Sequence, residues 1–261
     1  MQTSEGRHRS VARSIGDAWI ASIKLRCEGA MPMFVVLSAA AGFVDAACFM
    51  ALSQVFTAHV TGNFAALASA LVKPDSATGL RVAVIGAFAG GGVCAFCVAC
   101  ALDARDAAAP APVRRAVIRV EAAWLALLLV LDAVLPEGAW ARYAVALCAG
   151  AAMGCQGALS KLPGAAGLGT PTTVMTSNFS AWTLALAQRL TRRKPGAGDA
   201  DDAAAAAAQD RTLVQLSLQL LVFMTGAAAG ALGEQRFGVM ALAVPLALLA
   251  ALSFGRLTAQ A

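Results

Sequence analysis

The stretch Thr57-Ala58-His59-Val60-Thr61-Gly62-Asn63-Phe64 has a counterpart far downstream, Thr172-Thr173-Val174-Met175-Thr176-Ser177-Asn178-Phe179. Thr, Thr, Asn and Phe recur at the same spacing. Each octet heads an apolar run, 57–72 in the first case and 170–190 in the second, and the second run is polar from Thr170 and Pro171 onward. Thr and Asn side chains satisfy the free N–H groups at the start of a helix. A helix that begins inside a bilayer needs such groups, because unpaired backbone is tolerated there only against protein or a wet cavity. The two octets therefore predict two half-helices that start at depth. The plainer alternative is a pair of ordinary helix caps at the membrane surface.

The flanking sequence supports the deeper placement. Ala51-Leu52-Ser53 upstream of the first octet echoes Ala158-Leu159-Ser160 upstream of the second, and Gly86-x-x-x-Gly90 echoes Gly226-x-x-x-Gly230 downstream. Three echoes in one order read as a duplicated architecture. Eight apolar stretches can be drawn in all: 33–54, 57–72, 80–102, 116–135, 140–160, 170–190, 213–233 and 238–255. The chain is 59% hydrophobic and 13% charged, against roughly 25% charged residues in soluble domains. Runs of about 20 apolar residues match the thickness of a hydrocarbon core. The expected fold is all-α, a polytopic transmembrane helical bundle over residues 33–255.

Charge placement selects between two topologies. The tail 1–32 carries Arg7, Arg9, Arg13, Lys24 and Arg26, which puts it in the cytoplasm. Within it, Val11, Ile15, Trp19 and Ile23 recur every fourth residue, the pattern of an amphipathic surface helix. The segment 103–119 holds Arg105, Arg114, Arg115 and Arg119. Eight crossings would place it outside, against the positive-inside rule; about six crossings plus two half-helices place it inside. Both topologies keep the N- and C-termini on the cytoplasmic side, with a short C-terminal tail at 256–261. In the six-crossing topology the units 33–135 and 140–255 enter the membrane from opposite sides. They form an inverted repeat, which places a binding site near the midplane where broken helices meet. The segment 191–211, with its Asp residues and Ala203–Ala208 run, reads as a cytoplasmic linker with no need to pack.

Polar residues at depth are the candidate substrate path: Asp45, His59, Thr61, Asn63, Gln156, Thr176 and Asn178. Asp45 stands within the first apolar run, where a carboxylate is retained only when it is paired, neutralised or functional. His59 is its nearest partner in sequence. Asn63 and Asn178 are expected either to orient a substrate or to bond between helices, and Gln156 has the same two roles open to it. Glu121, Asp132 and Glu234 lie near segment ends and are expected to be solvated. Gly86, Gly90, Gly150, Gly154, Gly226 and Gly230 are expected to let helices approach closely, within the chain or between the protomers of a homo-oligomer. Cys94, Cys97 and Cys100 lack a fourth ligand nearby and read as small packing residues. No metal or cofactor site and no disulfide framework is expected.

From Gly42-Phe43-Val44-Asp45-Ala46 through Phe49, Leu52 and Phe56–Asn63, the chain resembles the YoaK-like family of bacterial multi-pass membrane proteins, a domain of unknown function. Met153-Gly154-Cys155-Gln156 and Thr172–Thr176 support the likeness in the second half. The resemblance spans about 33–255 and implies a fold and a bacterial cytoplasmic (inner) membrane location, without naming a substrate. Two positions depart from the family pattern: Gly157 where Asn is frequent, and Ser177-Asn178 in place of a pair containing Gly.

For function, the inverted repeat and the buried acid point to a small transporter or channel for an unidentified small solute or ion. A non-transporting scaffold or regulatory subunit is the alternative, using 1–30 and 191–211 as partner surfaces. An enzyme is not expected, since none of the G-x-S-x-G, H-E-x-x-H or Walker A patterns occurs. The net charge of +5 sits at segment ends, which fits lipid contact and orientation in the bilayer; no nucleic-acid partner is expected.

Overall fold

A computed structural model describes residues 30–102, 110–162, 172–192 and 200–254. The amphipathic pattern of the N-terminal tail, the segment 103–109 with Arg105, Thr170 and Pro171, and the C-terminal tail lie outside the described residues. What is described is helical, with no strand. In chain order the elements are α1 (Ala30–Ala51), α2 (Val60–Ala70), α3 (Thr78–Ala101), α4 (Pro110–Val134), α5 (Ala139–Leu159), α6 (Met175–Thr191) and α7 (Ala200–Phe237), followed by a 3₁₀ turn (Gly238–Leu242) and α8 (Ala243–Phe254). Pro110 and Pro245 fall in first helical turns, where a missing N–H has no partner to lose.

Two long helix pairs build the body. α1 runs along α7, and α3 runs along α5. Glycine sets both seams. An added Cβ at Gly226 or Gly230 would strike the backbone carbonyls of Ala39 and Phe43 on α1, and one at Gly42 would strike that of Phe223 on α7. In the other pair Gly154 meets the Phe88 carbonyl, Gly150 that of Val84, and Gly91 that of Ala151. Such backbone approach is the usual basis of helix association in lipid, where no hydrophobic drive exists between helices. α4 lies on α5 and α8, α8 also touches α1, α2 rests on α3, and α6 rests on α7.

Four of the six expected seam glycines, Gly150, Gly154, Gly226 and Gly230, thus lie against a neighbouring helix within the chain, and two face outward. Gly86 and Gly90 have nothing within 4 Å of an added Cβ. At 3.6 residues per turn, Gly91 is rotated about 100° from Gly90, and it is Gly91 that faces α5. The cysteines divide in the same way. Cys48, Cys148 and Cys155 are buried, whereas Cys97 and Cys100 are exposed on α3 and pack against nothing in the core.

The membrane character is plain in three segments. Met33–Ala51, Thr78–Ala101 and Ala204–Phe254 are long and apolar enough to cross a bilayer. Large apolar side chains such as Leu71, Phe96, Leu184 and Leu232 face outward, as lipid-facing residues do. Two details bear on the expected crossings, and one correction follows. Six crossings were expected, and three segments meet the criterion of length and hydropathy; α4 carries Arg114, Arg115, Arg119, Glu121 and Asp132, and α5 carries Arg142. The expected crossing at 238–255 opens with a 3₁₀ turn, with Gly238 at φ 59°, and continues as a 12-residue helix. The expected unpacked linker is helical from Ala200. Alanine has the highest helix propensity of any residue, and Asp210, just past the alanine run, is bridged by Arg189 of α6 and by Arg192 just beyond its end.

Candidate functional site

α1 ends at Ala51, and the chain turns through Ser53 (φ 56°) and Gln54 (φ 64°), both in the left-handed region. This reversal brings residues 55–59 back against α1, so that α2 starts beside Asp45. The start of α2 has no cap of its own: His59, its N-cap residue, makes no side-chain cap bond. Asp45 supplies the acceptor from the neighbouring helix. Its Oδ1 takes the N–H groups of Thr57 and Ala58, each at 2.7 Å, and the Thr57 hydroxyl at 3.4 Å. A carboxylate is favourable at this position because the free N–H groups and the helix dipole both present positive charge. Asp45 is 4% exposed, so these bonds replace water.

The second oxygen of Asp45 faces His59. Nδ1 and Oδ2 lie 2.6 Å apart. An ionised carboxylate accepts only, so Nδ1 carries the hydrogen and Nε2 is the nitrogen left for another partner. Nε2 accepts when the ring is neutral and donates when it is protonated. The imidazole is held edge-on by Phe56 and Phe223, at centroid distances of 5.8 and 5.4 Å.

Around this pair is an open cavity of about 410 Å³. Asp45, Ala46, Phe49 and Met50 of α1 form one wall, Phe56, His59, Thr61 and Gly62 the head of α2, and Phe223, Ala227 and Ala231 of α7 the opposite wall. Thr176, in the first turn of α6, completes it. The heads of both polar-headed helices therefore meet at one space. The lining is mostly aromatic and aliphatic, with few polar groups, the usual make-up of a small-molecule pocket.

Four of the seven expected path residues line this cavity: Asp45, His59, Thr61 and Thr176. The other three lie behind it. Asn63 is buried and clamps the backbone of Phe56, accepting from its N–H at 3.1 Å and donating to its carbonyl. Its side chain shapes the loop ahead of α2 and does not line the cavity. Asn178 is likewise buried and engaged. Gln156 on α5 donates from Nε2 to the Leu37 carbonyl at 2.8 Å and to the Thr172 hydroxyl at 2.6 Å, while its Oε1 has no hydrogen-bond partner among the described residues. The aromatic components Phe49, Phe56 and Phe223 were not among the expected site residues; in an apolar chain nothing distinguishes them from lipid-facing phenylalanines.

The geometry defines an all-helical membrane protein with a small-molecule-sized cavity at the junction of two polar-headed helices. By its sequence the chain belongs to the family described as Protein of unknown function (DUF1275), whose model matches residues 33–255. No curated protein and no solved structure matches it.

Proposed function

We propose that this chain is a small transporter or channel of the bacterial cytoplasmic membrane, with the Asp45–His59 cavity as its binding site. The observation that carries the proposal is the meeting of both half-helix heads, through Thr61 and Thr176, at the cavity that holds the pair. The lining suits a small, largely apolar solute with one hydrogen-bonding group, or a proton passed through Nε2. We do not read the site as an enzyme's: both Asp45 oxygens are occupied in shaping the half-helix and holding His59.

The proposed topology is six crossings, α1, α3, α4, α5, α7 and α8, with α2 and α6 as half-helices and both termini cytoplasmic. Its support is a cross-exchange of partners. The first helix of each unit packs on the long helix of the other, α1 on α7 and α5 on α3, and each half-helix rests on the long helix that follows it. The two half-helices also begin alike, with His59 at φ −92°, ψ 66° and Val174 at φ −105°, ψ 69°. This is the pattern an inverted repeat produces. α5 is buried over most of its length against α3, α4 and α1, and α4 buries one stripe against its neighbours. A single cysteine at Ala107 in a cysteine-free background tests the topology; reaction with an impermeant thiol reagent in intact cells would reject it.

Function is tested in proteoliposomes with an imposed pH gradient, an entrapped pH dye and a panel of small weak acids and bases. Flux above empty vesicles that Asp45→Asn abolishes, with the protein still folded and inserted, is the expected result. Flux equal in wild type and Asp45→Asn would sink the proposed site.

A further inference from the structure

The buried face of α4 reads Val113, Arg114, Val117, Ile118, Glu121, Leu125 and Leu128, a continuous stripe at helical spacing. Its central position is an acid. Glu121 was expected to be solvated near a segment end; it is 0% exposed, and neither carboxyl oxygen has a hydrogen-bond partner among the described residues. The helix continues N-terminally to Pro110, so the position that looked terminal in the sequence is central in the stripe.

The groups around it offer no countercharge. α4 is packed by α5, α8, α3 and the 3₁₀ turn. α8 and the 3₁₀ turn contain no titratable residue. From α5, Cys155 is close enough to feel the charge of Glu121, with Cys94 of α3 behind it; the Cys155 thiol donates to the Gly91 carbonyl at 3.2 Å. Arg81 of α3 is held by Asp75, and Arg142 of α5 by Ser53. On α4 itself Arg119 points to the Ser253 carbonyl and over the Phe254 ring, and Arg114, two turns away, makes no ion pair with Glu121. A metal ion would need several further ligands, and no cluster of three His, Cys, Asp or Glu side chains exists among the described residues.

We propose that Glu121 is a proton-binding site inside the bundle, separate from the Asp45–His59 pair. An unpartnered carboxylate in apolar surroundings neutralises rather than staying charged. Here the carboxylate takes one proton to form the neutral acid, with no other bond made or broken. The chemical class of the ligand is the proton itself.

Infrared spectroscopy of the full-length protein in detergent at neutral pH tests this without reference to flux. The expected spectrum contains the carbonyl stretch of a protonated carboxylic acid, and that band is lost in both Glu121→Gln and Glu121→Leu. Gln has the shape of the neutral acid and Leu suits the apolar stripe, so both variants keep the fold. The band is retained in Asp45→Asn. Wild-type and Glu121→Gln spectra that superimpose in this region would overturn the proposal. Loss of the band in a protein that shows no flux would leave the proton site standing and count against the transport proposal alone.

Discussion

The two polar-headed helices begin with nearly the same backbone and with opposite chemistry. At the head of α2 an acid from α1 accepts from Thr57 and Ala58 and holds His59. At the head of α6 an amide from α5 donates to Thr172 and ties it to Leu37 of α1. The first arrangement places a charged acceptor and an imidazole at the cavity. The second is a neutral brace whose partners are inside the protein. On the proposed repeat, the two heads keep one backbone shape while titratable chemistry is concentrated in the first. Thr176 reaches the cavity from the second half only as a hydroxyl.

The sharpest way to break this comparison is to remove the acid. Asp45→Ala strips two buried N–H groups and an imidazole of their acceptor, at a cost of about 3 kcal/mol, the upper range for hydrogen bonds to a charged group. Asp45→Asn keeps the size of the side chain but loses the charge at the α2 head and the strong acceptor for Nδ1, and should abolish flux. Thermal unfolding in detergent and flux in proteoliposomes measure the two effects. If Asp45→Ala melts with the wild type, Asp45 does not organise the head of α2.

The helix seams extend the comparison to the long helices. Gly154→Ala drives a methyl into the Phe88 carbonyl, and overpacking of this kind costs about 1–3 kcal/mol. Gly90→Ala meets open space and should be neutral, or stabilising by up to ~1 kcal/mol from helix propensity. Melting temperatures of the two variants separate a seam glycine from a surface one. If Gly90→Ala destabilises a dimer while the monomer is unaffected, as seen by light scattering across a dilution series, the outward Gly86–Gly90 face is an interface between protomers.

These seams also mark how far the sequence could be read. Hydropathy was sufficient for an all-helical membrane fold, because runs as long as 33–51 have few other uses. Asp45 and His59 were legible as a pair, because an acid at depth needs a partner and His59 was the nearest one. Asn63 was visible as important but not in its role: sequence spacing does not say that the loop folds back so that its amide closes on Phe56, seven residues earlier. The choice of Gly91 over Gly90 depends on helix rotation, which repeated glycines conceal. Glu121 was misplaced because hydropathy drew the start of its segment too late. The alanine-rich 203–208 looked structureless by its low complexity, yet alanine is the best helix former, and Asp210 gives the extended helix an anchor on α6.

A smaller effect tests the neutral brace. Gln156→Ala leaves the Leu37 carbonyl and the Thr172 hydroxyl without their donor, which costs about 1–2 kcal/mol. Flux should persist, because Gln156 does not line the cavity. Gln156→Glu sharpens the contrast: it puts an acceptor where a donor is needed, facing a carbonyl, and should destabilise more than Ala. A Gln156→Ala protein with wild-type stability and no flux would place the second half in the site on equal terms with the first.

The smallest effects lie where each half-helix is tied to the long helix that follows. Arg81 of α3 holds Asp75 through both carboxylate oxygens at 2.7 Å, whereas after α6 the order of charges is reversed, with Arg189 and Arg192 reaching Asp210 of α7. The Arg81 guanidinium, with smaller help from the Ala77 N–H and the Thr78 hydroxyl, holds the Asp75 carboxyl below the usual aspartate range. A depressed acid contributes stability that is fully present above its unfolded value and is lost as pH falls through the folded one. The first tie should therefore be present at neutral pH and fade as pH falls below about 4, so Asp75→Asn should lower the neutral melting temperature slightly and converge on wild type in the acid limb. Asp210→Asn should cost less than about 1 kcal/mol at neutral pH, as partly exposed pairs do. A melting temperature for Asp75→Asn that superimposes on wild type from neutral to acid pH would mean that the first tie adds nothing to the stability of the half that carries the titratable site.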